Sequence, residues 1–195
     1  EIFHEGVMVH GLKVVEAGKL RQDHIRNIVD QCRDPELVGL DVMGRIASNN
    51  TIEQGYKAMV EKFGVEFVNA AQQKLRGDTE VEVRSVLKRL PDGTWRQRVY
   101  WSNSERHGGE EKVHPFKVEC KMTKKGEELT FDFTGSSPQN NDHANATLCA
   151  SRSHIFVALA AFLFWDVPWN AGLTEMVRYI FPERSLVNCS HPAAT

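Results

Sequence analysis

Apolar residues recur at helical spacing through the first ninety positions and then change to a period of two. Leu20, Ile25, Ile28, Val29 and Cys32 fall on one helical face, and Asp34-Pro35 interrupts the pattern. Ile52, Tyr56, Met59, Val60 and Phe63 predict a second helix closed by Gly64. Phe67, Val68, Ala71 and Leu75 predict a third, closed by Gly77. Thr79-x-x-Glu82 reads as a capping box, in which a hydroxyl and a carboxylate satisfy the first free amides of a helix through Val83, Val86, Leu87 and Leu90.

Pro91-Asp92-Gly93 is a turn, and strand patterns follow it. Trp95, Gln97, Val99 and Trp101 share one strand face, as do Phe116, Val118, Cys120 and Met122. Lys125-Gly126 turns into a strand carrying Leu129, Phe131 and Phe133. An apolar helix is expected around residues 149–165, and a last strand through Val177, Tyr179 and Phe181. The fold class is therefore α+β: a helical first half followed by a mostly antiparallel sheet with one buried helix. Residues 1–90 and 91–195 are expected to be the helical and the β-rich segments of one domain.

Composition narrows the function classes. The chain has 195 residues, 41% hydrophobic and 26% charged, with a formal charge of -2 and no long run of either sign. That balance argues against nucleic acid or an anionic membrane as the main partner. The longest apolar run, Ile155 to Trp165, is short of the roughly 20 residues that span a bilayer. Cys32, Cys120, Cys149 and Cys189 never form a Cys-x-x-Cys pair, and they read as reduced, partly buried thiols of a cytoplasmic protein. No secretory leader opens the chain, which begins without Met, as a fragment or processed piece would.

Candidate chemistry gathers in Asp132-Phe-Thr-Gly-Ser-Ser-Pro-Gln139, followed by Asn145. Phe131 and Phe133 alternate inward, which puts Asp132 and Thr134 on the opposite face. Asp132 is suited to orienting a substrate, accepting a proton or binding a cation. The competing reading is that Asp132 and Thr134 only cap the following turn. Gly135 admits a backbone angle that other residues avoid, and the amides around Gly135-Ser136-Ser137 are candidates for an anion-binding concavity.

Arg152, at the start of the apolar helix, is a candidate for an anionic group or for an ion pair with Asp166 or another local acid. Trp95, Tyr100 and Trp101 suit core packing or a subunit interface, or stacking on a planar ligand. Glu127-Glu128 and Glu110-Glu111 read as solvated faces. Among the eight histidines, His4 and His10 lie six apart and His24 and His143 are remote from both, a spacing that makes no metal site. Neither a Gly-x-Ser-x-Gly elbow nor a Walker A loop is present.

Five blocks in sequence order resemble the hydantoinase B/oxoprolinase family, whose members include ketone carboxylase subunits. They are Glu5-Gly6 with Leu12-Lys13, Asp41 to Asn49, Pro91 to Thr94, Asp132 to Gln139, and Asn170-Ala171-Gly172 with Asn188 and Pro192-Ala193-Ala194. Family members are considerably longer, so the resemblance implies a central portion of a larger protein. It implies a subunit of an ATP-dependent enzyme that opens a cyclic amide (a hydantoin, 5-oxoproline or a lactam). The alternative it carries is a subunit of an ATP-dependent acetone- or acetophenone-type carboxylase. A different class, which the scattered histidines and absent nucleophile elbow allow, is a non-catalytic scaffold that docks the ATP-binding subunit.

The resemblance further implies a hetero-oligomer in which ATP is bound by a hydantoinase A-type partner. It also implies a divalent metal whose ligands lie outside this chain. Asp132 and Thr134 become the expected catalytic residues, and Ser136, Ser137, Gln139, Asn145 and Arg152 the expected substrate-binding ones. Many hydrolase members carry arginine near Met43 and glutamine near Arg45, and glutamine and proline are common where His4 and His10 stand. These departures move weight toward the carboxylase branch.

Overall fold

The computed structural model describes residues 9–32, 34–107, 110–140 and 144–193. His4, Glu5-Gly6, His143 and Ala194 lie outside the described residues, as do the side chains of Glu110 and Glu111. The chain forms two compact units, one ending at Ala71 and the other running from Gln72 to Ala193.

The first unit opens with a hairpin of two short strands, β1 (Val15–Glu16) and β2 (Lys19–Leu20). Ala17 and Gly18 make its turn, both at positive φ (49° and 76°), the geometry a two-residue hairpin needs. Helix α1 (Gln22–Val29) follows. Asp34 then caps α2 (Pro35–Phe63) by accepting the Leu37 amide at 3.1 Å, with Pro35 in the first turn, where its missing N–H costs nothing. The break expected at Asp34-Pro35 is this helix start. The helix therefore begins well before Ile52, and the Asp41–Asn49 block lies within it. Gly64 ends it at φ +82°, donating its amide to Val60 O. None of the residues of α2 is buried: Leu40 and Ile52 are each 68% exposed.

Helix α3 (Val65–Arg89) corrects two expectations. Gly77 does not close a helix, and Thr79 opens none. The helix continues because its later turns are anchored by tertiary contacts, which override the local stop signal. Val83 and Leu87 are fully buried, and the Thr79 hydroxyl is covered by Asn170, which donates to it at 2.7 Å.

In the second unit β3 (Gly93–His107), β4 (Glu110–Lys125), β5 (Glu128–Asp132) and β6 (Val177–Ile180) form one sheet in that order. The first two pairings are antiparallel and β5–β6 is parallel. Trp95, Gln97, Val99 and Trp101 pair directly with Met122, Cys120, Val118 and Phe116, so each set shares one sheet face as the period of two predicts.

One sheet face packs on helix. Leu129, Phe131, Val177 and Tyr179 meet Val83 and Leu87 of α3, together with Leu159, Ala160 and Phe164 of the α4 region. Helix α4 (Leu148–Phe162) buries one side at Ser151, Leu159 and Ala160 and leaves Phe162 exposed. The opposite sheet face is charged, with Arg98, Glu119, Lys121, Asp132 and Arg178 in cross-strand rows. Alternation of side chains along each strand produces this two-faced sheet.

Three details fix the edges of this unit. Lys124 is buried on the helical side, where its ammonium donates to Leu90 O (2.6 Å) and Asp92 Oδ1 (2.7 Å), tying down the Pro91-Asp92-Gly93 turn. A 3-10 turn, Ala171–Thr174, docks on α3. Its Gly172 lies so close that a Cβ would fall 2.2 Å from Arg76 O. Among the described residues, no helix is long and apolar enough to cross a membrane.

The aromatic patch divides. Trp95 and Trp101 share a face, Tyr100 lies on the other, and all three are exposed rather than packed in a core. Glu127 and Glu128 are ion-paired, the first with Arg84 and Lys88 and the second with Arg178.

Candidate functional site

The signature loop leaves the end of β5. Asp132 Oδ1 accepts the Thr134 amide at 3.0 Å, and its Oδ2 lies 2.6 Å from Lys121 Nζ. The Lys121 ammonium, and after it the Thr134 hydroxyl and amide, hold the carboxyl at about 2, well below the usual carboxylate range. A group this acidic is ionised at neutral pH. It can orient a partner electrostatically, but it is poorly matched to proton transfer near neutrality.

Beyond Thr134 the loop is fastened to β4. The Ser136 amide donates to Phe133 O (3.1 Å) and the Ser137 amide to Lys117 O (2.8 Å). Of the amides expected to form an anion-binding concavity, those of Ser136 and Ser137 are therefore engaged with carbonyls instead. The hydroxyls are engaged too. Ser136 Oγ accepts the Glu119 amide at 3.1 Å, and Ser137 Oγ accepts the Lys117 amide at 3.0 Å. Gly135 stands at φ +100°, the left-handed conformation expected of it.

Gln139 reaches the C-terminal segment in both directions, donating to Ser190 O (3.1 Å) and accepting the Ser190 amide (2.8 Å). Asn145 is buried, with its Oδ1 accepting the Asn140 amide at 2.9 Å. These contacts make the loop a rigid junction between β4, β5 and residues 184–190.

Arg152 lies elsewhere. Its guanidinium sits over the Tyr179 ring, 5.2 Å from the centroid, on the helical side of the sheet. Asp132 points to the opposite face, since Phe131 pairs with Tyr179 and precedes Asp132 by one residue. The predicted residues thus separate into a loop cluster and a groove residue. The alternative of an Arg152–Asp166 ion pair is not realised: among the described residues Arg152 makes no ion pair.

Two adjoining cavities share Leu148, Arg152 and Tyr179 as a common wall. One, of about 490 Å³, is completed by Cys149, Ser153, Phe156 and Thr174. The other, of about 410 Å³, is completed by Phe181, Glu183 and Asn188. Both open to solvent as a groove between the first turns of α4 and the end of β6. Thr147 caps α4 through a hydrogen bond from the Ala150 amide (3.2 Å), which fixes the turn that presents Cys149 and Arg152. Burial pushes the Tyr179 hydroxyl above its ordinary pKa, with Arg152 opposing the shift.

Cys149 is an exposed thiol, in contrast to the partly buried Cys32, Cys120 and Cys189. Sequence reasoning did not assign Tyr179 or Glu183 to a site. Alternation in β6 put Tyr179 on the face of Phe131, and that was the available signal. Glu183 carried none.

Among the described residues no three His, Cys, Asp or Glu side chains come together as metal ligands. His24 is instead placed with its Nδ1 2.8 Å from Lys13 O. The described residues do not fit a metal centre.

The hydantoinase B/oxoprolinase family model matches residues 1–195. A D-/L-hydantoinase component of Pseudomonas sp. (strain NS671) is 28% identical over 203 residues, covering 100% of this chain and 34% of its own length. The solved ATP-dependent caprolactamase of Pseudomonas jessenii superposes with a TM-score of 0.74 at 23% identity, covering 99% of this chain and 32% of that one. A nucleotide-free acetone carboxylase structure gives 0.75 at 21% identity, covering 91% and 24%. The two structural likenesses establish a shared fold. The chain spans about a third of the length of its hydantoinase and caprolactamase relatives.

Proposed function

Because this chain belongs to the hydantoinase B/oxoprolinase family, we propose that it works as part of a subunit of an ATP-dependent enzyme that opens a cyclic amide: a hydantoin, 5-oxoproline or a lactam. The observation that carries this reading is the similarity to a hydantoinase component along the full length of the chain. In this reading a hydantoinase A-type partner binds ATP in a cytoplasmic hetero-oligomer. ATP's terminal phosphoryl group passes to the amide oxygen with release of ADP, which makes the ring carbon electrophilic. Water adds there, the C–N bond breaks with the nitrogen taking a proton, and a second water releases phosphate. A divalent metal, if the complex uses one, takes its ligands from outside the described residues.

The part proposed for this chain is positioning. The groove beside Arg152 and Tyr179 holds the ligand, with Leu148 and Phe156 excluding water from its apolar side. Ser136, Ser137, Gln139 and Asn145 contribute by holding the loop that fixes the groove's C-terminal wall. Asp132 and Thr134 remain the candidates for a fixed anion at the other sheet face.

A ketone carboxylase subunit is the second reading, and the Asp41–Asn49 block favours it through Met43 and Arg45. Leu40, Asp41, Gly44, Arg45, Ser48 and Asn49 border a concavity of about 400 Å³ on α2, where such a difference would be felt.

The test is to assemble the full chain with its ATP-binding subunit. It is then supplied with ATP and a cyclic amide, or with ATP, a ketone and labelled bicarbonate. ATP-dependent ring opening is expected. Label fixed into a keto acid would overturn the leading reading in favour of the second. An Asp132→Ala complex that folds and turns over normally would remove Asp132 from the chemistry, and inactivity of every combination would favour a scaffold.

A further inference from the structure

The groove holds two charges of opposite sign that do not meet. Arg152 and Glu183 line the same cavity of about 410 Å³. Among the described residues neither makes an ion pair or a side-chain hydrogen bond; Arg152 makes only its stacking contact with Tyr179. On the opposite sheet face, by contrast, the charges are paired: Glu128 with Arg178, Lys121 with Asp132, and Glu119 with Arg98 and Lys117.

Both groups stand on fixed backbone. Arg152 is in the capped first turns of α4, with its guanidinium over the Tyr179 ring, 5.2 Å from the centroid, and a guanidinium fork is suited to a carboxylate. Glu183 sits in a tight turn whose next residue, Arg184, adopts φ +54°, an uncommon angle for a residue with a side chain. That turn is pinned on three sides. Ser185 Oγ donates to Pro182 O (2.7 Å), the Gln139 amide donates to Arg184 O (2.8 Å), and Asn188 Nδ2 donates to Phe181 O (3.4 Å). The rest of the cavity is lined by Leu148, Tyr179, Phe181 and Asn188.

We infer that this groove binds a small zwitterion, with a carboxylate on Arg152, an ammonium on Glu183 and a short hydrocarbon between them. A ligand carrying a single charge satisfies one end and leaves the other unpaired, so the pair selects for both groups together. The inference rests on the reading above in taking this groove as the ligand site, and it adds that the ligand held there carries both charges.

Calorimetric titration of the full chain with 5-aminopentanoate, pentanoate, pentylamine and 2-piperidone tests it. The zwitterion is expected to bind about tenfold or more tightly than any of the other three, the difference of about one charge-assisted contact. Arg152→Met and Glu183→Gln should each remove that preference, and Arg178→Met, on the other sheet face, should leave it intact. Equal binding of pentanoate and 5-aminopentanoate by the unaltered protein would overturn the inference. So would an unchanged preference in Glu183→Gln. Ring-opening activity is a separate readout: its absence alongside selective zwitterion binding would count only against the proposed reaction.

Discussion

Lys121 Nζ stands 2.6 Å from Asp132 Oδ2, and the two residues are direct partners across the β4–β5 ladder. The pair explains the acidity of Asp132 and fixes the sign of its effect on stability. A carboxyl near 2 in the folded chain and near 3.9 in the unfolded one stabilises the fold fully above about pH 4, and the contribution fades as pH falls through about 2. Asp132→Asn lacks this term. Thermal melts should therefore show the unaltered protein more stable above about pH 4, with the two curves converging between about pH 4 and 2. Curves that run parallel over that interval would mean that the pair contributes nothing.

Ser136 and Ser137 are expected to behave as fasteners. Ser137→Ala removes the acceptor of the Lys117 amide, and Ser136→Ala removes that of the Glu119 amide. Each hydrogen bond is worth about 1 kcal/mol, so exchange at the corresponding amide should quicken about fivefold where local opening governs it. Hydrogen exchange read residue by residue checks this. Exchange unchanged at Lys117 and Glu119, with a weakened KM in the assembled enzyme, would make the hydroxyls ligand contacts instead.

Gly172 and Gly77 should respond in opposite directions to the same substitution. A methyl group at Gly172 would meet Arg76 O at 2.2 Å and the Glu80 amide nitrogen at 3.1 Å, both backbone atoms of α3 that cannot swing aside. Gly172→Ala should cost about 1–3 kcal/mol or more. Gly77 lies inside α3, and a methyl group added there would have nothing within 4 Å, so Gly77→Ala should stabilise by up to about 1 kcal/mol. Urea denaturation midpoints of the two variants decide the matter.

These contrasts show which parts of the molecule were legible in the sequence. The faces of β3 and β4 could be read because a period of two runs through Trp95–Trp101 and Phe116–Met122, whereas their pairing register could not. The end of α2 could be read because Gly64 takes the positive φ that its position suggests. Gly77 and Thr79 misled because a helix stop and a tertiary docking point use the same residue types. Thr79 meets Asn170, 91 positions away, and no local pattern reports that contact. The β1–β2 hairpin was too short for any periodicity. The groove was invisible for the same reason as the docking point: Arg152, Tyr179 and Glu183 become neighbours only when β6 lies beside β5 and α4 packs over them. The Asp132–Gln139 block was recognisable as a unit, yet its hydroxyls and amides turn inward to β4 and residues 184–190, which only the fold reveals.

Gly135 offers the sharpest test of that loop. Its φ of +100° is hostile to a Cβ, and a Cβ placed there would lie 3.1 Å from Glu119 Oε2. Glu119 has little freedom to yield, because Arg98 Nε and Lys117 Nζ hold the same oxygen at 3.1 and 3.2 Å. Gly135→Ala should therefore destabilise by about 1–3 kcal/mol. The order of substitutions separates backbone strain from crowding. Asn tolerates positive φ better than Ala, and a β-branched residue tolerates it worst. If strain dominates, the melting temperature should fall in the order Asn, Ala, Val. If crowding against Glu119 dominates, Asn should be worse than Ala, and Glu119→Ser should rescue Gly135→Ala by opening the space beside it. Equal melting temperatures for all three variants would contradict both accounts.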